Sequence, residues 1–368
     1  MSDELLYQVA LKLIYGIGDV NTKQLISYCG SAKAIFNTPK VKLQKIPGIG
    51  GKTVASILSS KVLKTAESEI LKCQKDGTNI LFYTDANYPS RLKLINDSPI
   101  LLFSKGNMDF NKQKVVGIVG TRNATDYGKA VTEEIVKDLI PHNAIIVSGL
   151  AYGIDITAHR AALQCNLSTI GVLAGGLDKI YPSSHKKYIK DMMESGGIVS
   201  EKFIGVSPEA HFFPARNRII AGMADAIIVV EAAERGGALI TGEIAYSYNR
   251  EVFAVPGNIN HKYSEGCNKL ISKQKANIYS SIADLEYLLN WDKKMTFASN
   301  SKPVMDIDKF EGEVKKIVDI LIAFRDGLQL DELSWKSQVP VNLAVSILLN
   351  LEFDGYVKSL PGKKYKLV

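Results

Sequence analysis

A doubly wound, mostly parallel α/β sheet is the fold class that the middle of this chain predicts, with an all-α module before it and a winged-helix-like module after it. Three observations carry that expectation. Short, near-continuously apolar runs recur between residues 81 and 291 (KVVGIVG, AIIVSGL, STIGVLAGGL, GGIVSE, AIIVVEAA, EVFAVPG), as strands buried on both faces should. Helical stretches such as YGKAVTEEIVKDLIPHN and ALITGEIAYSYNR separate them, the alternation that builds parallel βαβ units. Most of these runs carry glycine or serine at or just before their carboxyl end, so glycine-rich turns fall at the carboxyl ends of the strands, where such sheets bind ligands.

At 368 residues the chain predicts two or three domains. Hydrophobic residues make up 46% and charged residues 23%, values that allow a sizeable core and argue against wholesale disorder. No apolar run approaches the roughly 18–20 residues of a membrane helix. The opening MSDELLYQVALKL lacks the basic start and cleavage site of a signal peptide, so a soluble cytoplasmic protein with no membrane contact is expected. Cys29, Cys73, Cys165 and Cys267 lie far apart, and the five histidines form no ligand pair; neither a disulfide framework nor a metal site is expected.

The net charge of +7 is unevenly placed: residues 1–80 hold eleven lysines and six acids. This first module reads as short helices separated by glycine turns. IYGIGDVNTKQLI and IPGIGGKTVASIL share an apolar–x–G–I–G turn followed by an amphipathic helix. Gly16/Gly18 and Gly48/Gly50 can take positive φ, and their bare backbones let amides approach a phosphate at a helix N-terminus. The pattern resembles a tandem helix-hairpin-helix (SAM-like) module; the same turns would equally serve a helical protein-contact domain.

Residues 292–307 are polar and non-periodic, a linker. Residues 308–368 give three helical segments and a hairpin at LPGKK, with Lys358, Lys363, Lys364 and Lys366 on the wing. The segment PVNLAVSILLNLE, in the position of a reading helix, is mostly apolar, which favours a protein-contact or packing role over DNA reading.

The chemistry is expected at the strand ends. After the first core strand, Gly120-Thr121-Arg122 brings backbone amides, a hydroxyl and a guanidinium to a strand-to-helix turn, a constellation for phosphate. It is neither GxGxxG nor a Walker loop, so no dinucleotide, ATP or other cofactor is indicated. SGLAYGID repeats the logic with Ser148, Gly149, Gly153 and Asp155, before a helix opened by Ala158/His159. An Asp155–His159 pair is read as a structural cap, since no nucleophile stands nearby. AGGLDKIYP offers Gly175, Gly176, Lys179 and Tyr181, a cation with an aromatic face. Phe213, Arg216, Asn217 and Arg218 follow in FPARNR, the arginines serving as a phosphate clamp or an ion-pair lattice. Arg235, Gly236 and Gly237 lead to a further helix start at Thr241. Four such turns, with Arg122, Lys179, Arg216 and Arg218 converging, predict an extended anion pocket suited to a polyanion rather than a small cofactor.

Taken together, GTR, SGLAYGID, AGGLDKIYP, FPARNRIIAG, VVEAAERGGALIT and EVFAVPG, in that order, resemble the DNA-processing protein A family (DprA/Smf). The resemblance implies a Rossmann-like domain that forms a homodimer, binds and protects single-stranded DNA and loads RecA in natural transformation, with single-strand-binding protein as a further partner. The family's GSR-type loop falls on Gly120, Thr121 and Arg122, and its FPxRNR element on Phe213 through Arg218. Ser183, Ser184 and His185 stand where the family commonly carries basic residues, leaving Lys179, Lys186 and Lys187 to supply charge. No enzymatic activity is expected. The alternative is a nucleoside-monophosphate phosphoribohydrolase-like enzyme, because ERGGALITGE resembles a PGGxGTxxE element, with Glu243 in the glutamate position but Arg235 replacing the proline.

Overall fold

A computed structural model describes residues 3–59, 61–111, 114–291, 310–324, 327–360 and 364–367. The chain divides into two compact units, residues 1–291 and 292–368. The expected linker and Lys363 lie outside the described residues.

The first unit opens with helices α1 (Asp3–Leu13), α2 (Asp19–Cys29), α3 (Ala32–Asn37), α4 (Lys40–Leu43), α5 (Gly51–Ser59) and α6 (Leu63–Asp76). Gly16 and Gly48, with φ of 82° and 74°, make the turns before α2 and α5, a conformation costly to any residue with a Cβ. Ser31 caps α3 by accepting from the Ala34 amide at 3.1 Å. These helices bury their apolar faces against the sheet: Val9, Leu11 and Ile35 share a core with Leu101, Phe103 and Ile198.

The sheet and its helices follow as β1 (Asn79–Phe82), α7 (Ser90–Lys93), β2 (Leu101–Gly106), β3 (Val115–Val119), α8 (Asp126–Asp138), β4 (Ile145–Ser148), α9 (Ile154–Gln164) and β5 (Thr169–Val172). The chain continues through α10 (Lys186–Ser195), β6 (Gly197–Ser200), α11 (Phe212–Met223), β7 (Ala226–Val229), α12 (Gly237–Ser247), β8 (Glu251–Ala254), α13 (Glu265–Ser272), β9 (Asn277–Ile278) and α14 (Ile282–Leu288). Strand order is β1-β2-β6-β5-β4-β3-β7-β8-β9. All pairs from β6 to β9 are parallel; β1 and β2 add an antiparallel edge that the sequence pattern did not reveal.

The central strands are buried along their whole length because helices cover both faces. Val115 and Val119 turn toward the layer holding Ile219, Ile220 and Ala238, and Val116 and Ile118 toward the layer holding Ile135, Ala158 and Ala161. Two helices begin earlier than the sequence suggested: α9 starts at Ile154 rather than Ala158, and α12 at Gly237 rather than Thr241. FPARNR lies within α11, ahead of the buried strand β7.

The second unit contains α15 (Gly312–Ala323), β10 (Leu328–Gln329), α16 (Leu330–Ser337), α17 (Val341–Phe353), β11 (Val357–Leu360) and β12 (Lys364–Leu367), with its small sheet ordered β10-β12-β11. Ile317, Leu321, Leu333, Ala344 and Leu348 form its core. Along α17, Val341, Val345, Leu349 and Phe353 are exposed at successive fourth positions, an apolar edge where a reading helix would carry cations.

Candidate nucleic-acid interface

β3 pairs with β4 on one side and β7 on the other, so the chain leaves β3 in one direction and returns on the other. At such a switch point the turns beyond the strand ends separate and leave a crevice. An open cleft of about 810 Å³ occupies it. The turn after β3 contributes Gly120, Thr121, Arg122 and Asn123; α11 contributes Phe213, Pro214, Arg216 and Asn217; the turn into α12 contributes Arg235, Gly236 and Gly237. Tyr181, Thr241, Lys262 and Tyr263 complete the wall.

Buried acids hold these turns in place. The Glu231 carbonyl, just past β7, accepts from the Thr121 amide at 2.7 Å. Its carboxylate accepts from the Thr125 amide at 2.9 Å and hydroxyl at 2.5 Å, and Thr125 Oγ1 accepts from the Gly128 amide to cap α8. Gly153, with φ of 76°, lets α9 approach the same turn: a Cβ there would lie 2.2 Å from the Thr121 carbonyl oxygen.

Arg216 is buried beneath the cleft, where its guanidinium donates to the carbonyl oxygens of Gly149 (2.5 Å) and Val172. A Cβ on Gly149 would stand 2.6 Å from both that guanidinium and the Asp155 carboxylate, so only glycine admits the pair. Burial brings Arg216 down to about 10, which leaves it cationic at neutral pH, with Asp155 opposing the shift. Burial raises Asp155, with Arg216 and the Ala151 amide opposing the shift. The expected Asp155–His159 partnership is absent. His159 instead pairs through Nδ1 with Thr169 Oγ1 at 2.7 Å.

Above this buried pair the cleft is cationic and aromatic. Arg122, Arg235 and Lys262 are exposed, and Asp155, already matched to Arg216, is the one carboxylate among the described lining residues. The Arg122 guanidinium sits 5.4 Å from the Phe213 ring centroid, and Phe213 meets the half-exposed Tyr181 edge-on at 5.8 Å. At the start of α12 nothing lies within 4 Å of a Cβ built on Gly237, and no side chain caps the helix, so its positive end faces open space.

The structure thus brings together Gly120, Thr121, Arg122, Tyr181, Phe213, Arg216, Asn217, Gly237 and Thr241. Ser148, Gly149 and Gly153 act from beneath; Ser148 donates to the Ile118 carbonyl at 2.6 Å. Gly175 and Gly176 admit the close approach of Val206, Pro208 and Phe203. Lys179 stands beside Asp178 (3.6 Å) and is not among the lining residues. The expected convergence of Arg218 on the pocket is corrected. Its guanidinium bonds Glu201 at 2.6 Å and lies 3.5 Å from Asp19 and 3.9 Å from Asp97, because this side of α11 faces the N-terminal helices.

Among the charged, polar and aromatic lining residues, three were not singled out from the sequence: Asn123, Lys262 and Tyr263. Lys262-Tyr263 has the same cation-plus-aromatic composition as Lys179 and Tyr181. It lies in the loop beyond β8, and the Ala232 amide's hydrogen bond to the Tyr263 carbonyl (2.7 Å) brings that loop over the cleft. Among the described residues no helix is long and apolar enough to cross a membrane.

A family model for DNA recombination-mediator protein A matches residues 79–290, and a model for the DprA winged helix domain matches 316–363. Protein Smf of Synechocystis sp. is 30% identical over 396 residues, covering 99% of each chain. DNA processing protein DprA of Bacillus subtilis is 41% identical over 209 residues, 56% of this chain and 70% of that one. A crystal structure of DprA from Streptococcus pneumoniae aligns with a TM-score of 0.67 at 32% identity, over 78% of this chain and 98% of that one. A structure of DNA processing protein A from Helicobacter pylori, described for its single-stranded DNA binding mode, aligns at 0.53 and 30%, over 58% and 96%. Both the sheet domain and the winged helix match, and the chain belongs to the DNA recombination-mediator protein A family of DNA-processing proteins.

Proposed function

We propose that the cleft binds one strand of DNA without turning it over, and so holds the strand for recombination. The observation that carries this is the juxtaposition of exposed cations without an ion-pair partner among the described residues, Arg122, Arg235 and Lys262, with the rings of Phe213, Tyr181 and Tyr263 in one groove. Cations attract phosphates and aromatic rings accept any base, a combination suited to an unpaired strand and indifferent to its sequence. The single-strand binding named for the Helicobacter pylori relative supports the same ligand. Family membership supports RecA as the recipient of the strand, a homodimer as the working unit and single-strand-binding protein as a neighbour on the DNA.

A binding role is also favoured over phosphoribohydrolysis by the placement of Glu243. It pairs with Lys275 at 2.8 Å and is not among the residues lining the cleft. Arg122→Ala is expected to weaken oligo-dT binding by about 1–3 kcal/mol and to reduce the salt slope by about one. Fluorescence anisotropy at several salt concentrations measures both; an unchanged affinity and slope would remove Arg122 from the interface. Release of free base from nucleoside monophosphates by the intact protein would instead establish the hydrolase.

A further inference from the structure

The two glycine hairpins of the N-terminal helices share a sequence pattern but not a set of neighbours. In the first, Asp19 at the start of α2 accepts from Lys12 at 2.8 Å and from the Ile100 amide at 3.2 Å, and lies 3.5 Å from Arg218. Lys23 reaches the Asn96 carbonyl at 3.0 Å and the Ser98 hydroxyl at 2.5 Å. The charged groups of this hairpin are therefore tied to the sheet domain.

The second hairpin, α4, its turn and α5, is different. Lys40, Lys42, Lys45, Lys52, Lys61 and Lys64 are all exposed, and among the described residues none has a side-chain hydrogen bond or ion pair. No acid occurs between Asp19 and Glu67, and no aromatic residue between Phe36 and Phe82. The first-turn amides of α5, at Gly51, Lys52 and Thr53, meet no protein acceptor among the described residues, and nothing lies within 4 Å of a Cβ built on Gly50 or Gly51. A lysine face kept only for solubility would normally be interspersed with acids. A field of one sign, next to bare backbone amides, fits a polyanion.

We infer that the surface of this second hairpin binds the phosphate backbone of duplex DNA. The absence of aromatic residues decides against a single strand, whose exposed bases favour stacking partners; a duplex keeps its bases stacked internally and offers phosphates. The lysines would displace condensed counterions from those phosphates, and the α5 amides would donate to a phosphate oxygen. The choice of DNA as the polyanion rests on the function proposed for the cleft, but the surface is separate from it.

The test uses the full chain, wild type and the variant K40Q/K42Q/K45Q/K52Q/K64Q, titrated against a blunt-ended duplex and against oligo-dT across a salt series. Duplex affinity is expected to fall at least about tenfold at low salt, with the salt slope shrinking by as much as about four, near 0.9 for each lysine on a phosphate. Oligo-dT affinity should stay within about twofold, which also reports an intact fold. The inference is overturned if the wild type does not bind the duplex, if the variant binds it as the wild type does, or if oligo-dT affinity falls in parallel. The double variant R122A/R235A separates the two readings. Loss of oligo-dT with duplex binding retained places the two ligands on different surfaces, and parallel loss of both refutes a separate duplex surface. A wild type that binds duplex but not oligo-dT refutes the cleft reading and leaves this one standing.

Discussion

Arg216 and Arg218 lie two residues apart on α11, yet one underlies the cleft and the other anchors the N-terminal helices. Arg216 donates to two carbonyl oxygens and to the Asn217 side chain, and its charge offsets that of the nearby Asp155, so it becomes part of the floor on which Gly149 and the turn after β4 rest. Arg218 points to the opposite side, into Glu201, Asp19 and Asp97. Neither is a free cation. The difference teaches that a basic residue attracts a ligand only where the fold leaves it without an acid. Arg122, Arg235 and Lys262 meet that condition in the cleft, as the six lysines do on the second hairpin.

The sharpest way to break the comparison is Arg216→Ala. It strands the buried Asp155 and two carbonyls, and should destabilise the protein by about 3–5 kcal/mol. Denaturant unfolding measures it; a loss below about 1 kcal/mol would mean that Arg216 is free enough to serve as a direct phosphate ligand. Arg218→Ala should cost less, about 1–3 kcal/mol, because its acids keep other partners: Lys202 stands 3.6 Å from the buried Glu201, and Asp19 still accepts from Lys12 and the Ile100 amide. It should speed proteolysis within residues 1–76 while leaving oligo-dT affinity unchanged. A drop in that affinity would return Arg218 to the DNA interface.

His159 extends the comparison to a basic group buried, among the described residues, without an acid partner: burial holds it down to about 3, and its Nε2 finds no hydrogen-bond partner among them. The unfolded chain takes up a proton below about pH 6.5, whereas the folded chain refuses it until about 3. The contribution is therefore intact above pH 6.5 and erodes as pH falls toward 3, by about 1.4 kcal/mol per pH unit. His159→Gln should flatten this acid limb between pH 6 and 4; unfolding curves with the wild-type slope in the variant would show that His159 is protonated in place.

Much of the fold was legible because strands buried on both faces must be apolar throughout, and β3, β4 and β7 are. The antiparallel edge was not, since β1 reads NILF without alternation and draws its register from pairing with β2. Helix starts were misplaced where glycines precede them, because Gly153 and Gly236 are N-caps that carry no capping side chain. Within the site, Gly120-Thr121-Arg122 was legible because the chemistry lies in contiguous residues. Tyr263 was not, because its loop is brought across the cleft by long-range backbone hydrogen bonds, from the Ala232 amide to the Tyr263 carbonyl and from the Gly266 amide to the Ala232 carbonyl.

By itself the sequence determined the doubly wound sheet, the appended winged helix and the turns that would carry phosphate chemistry. These follow from periodicity and from glycine's backbone freedom, which are local properties. Only the tertiary structure decided which cations are available. That depends on whether an acid from a distant segment, Asp155 under Arg216 or Asp19 beside Arg218, comes within hydrogen-bonding or Coulombic reach, and local sequence carries no record of that distance.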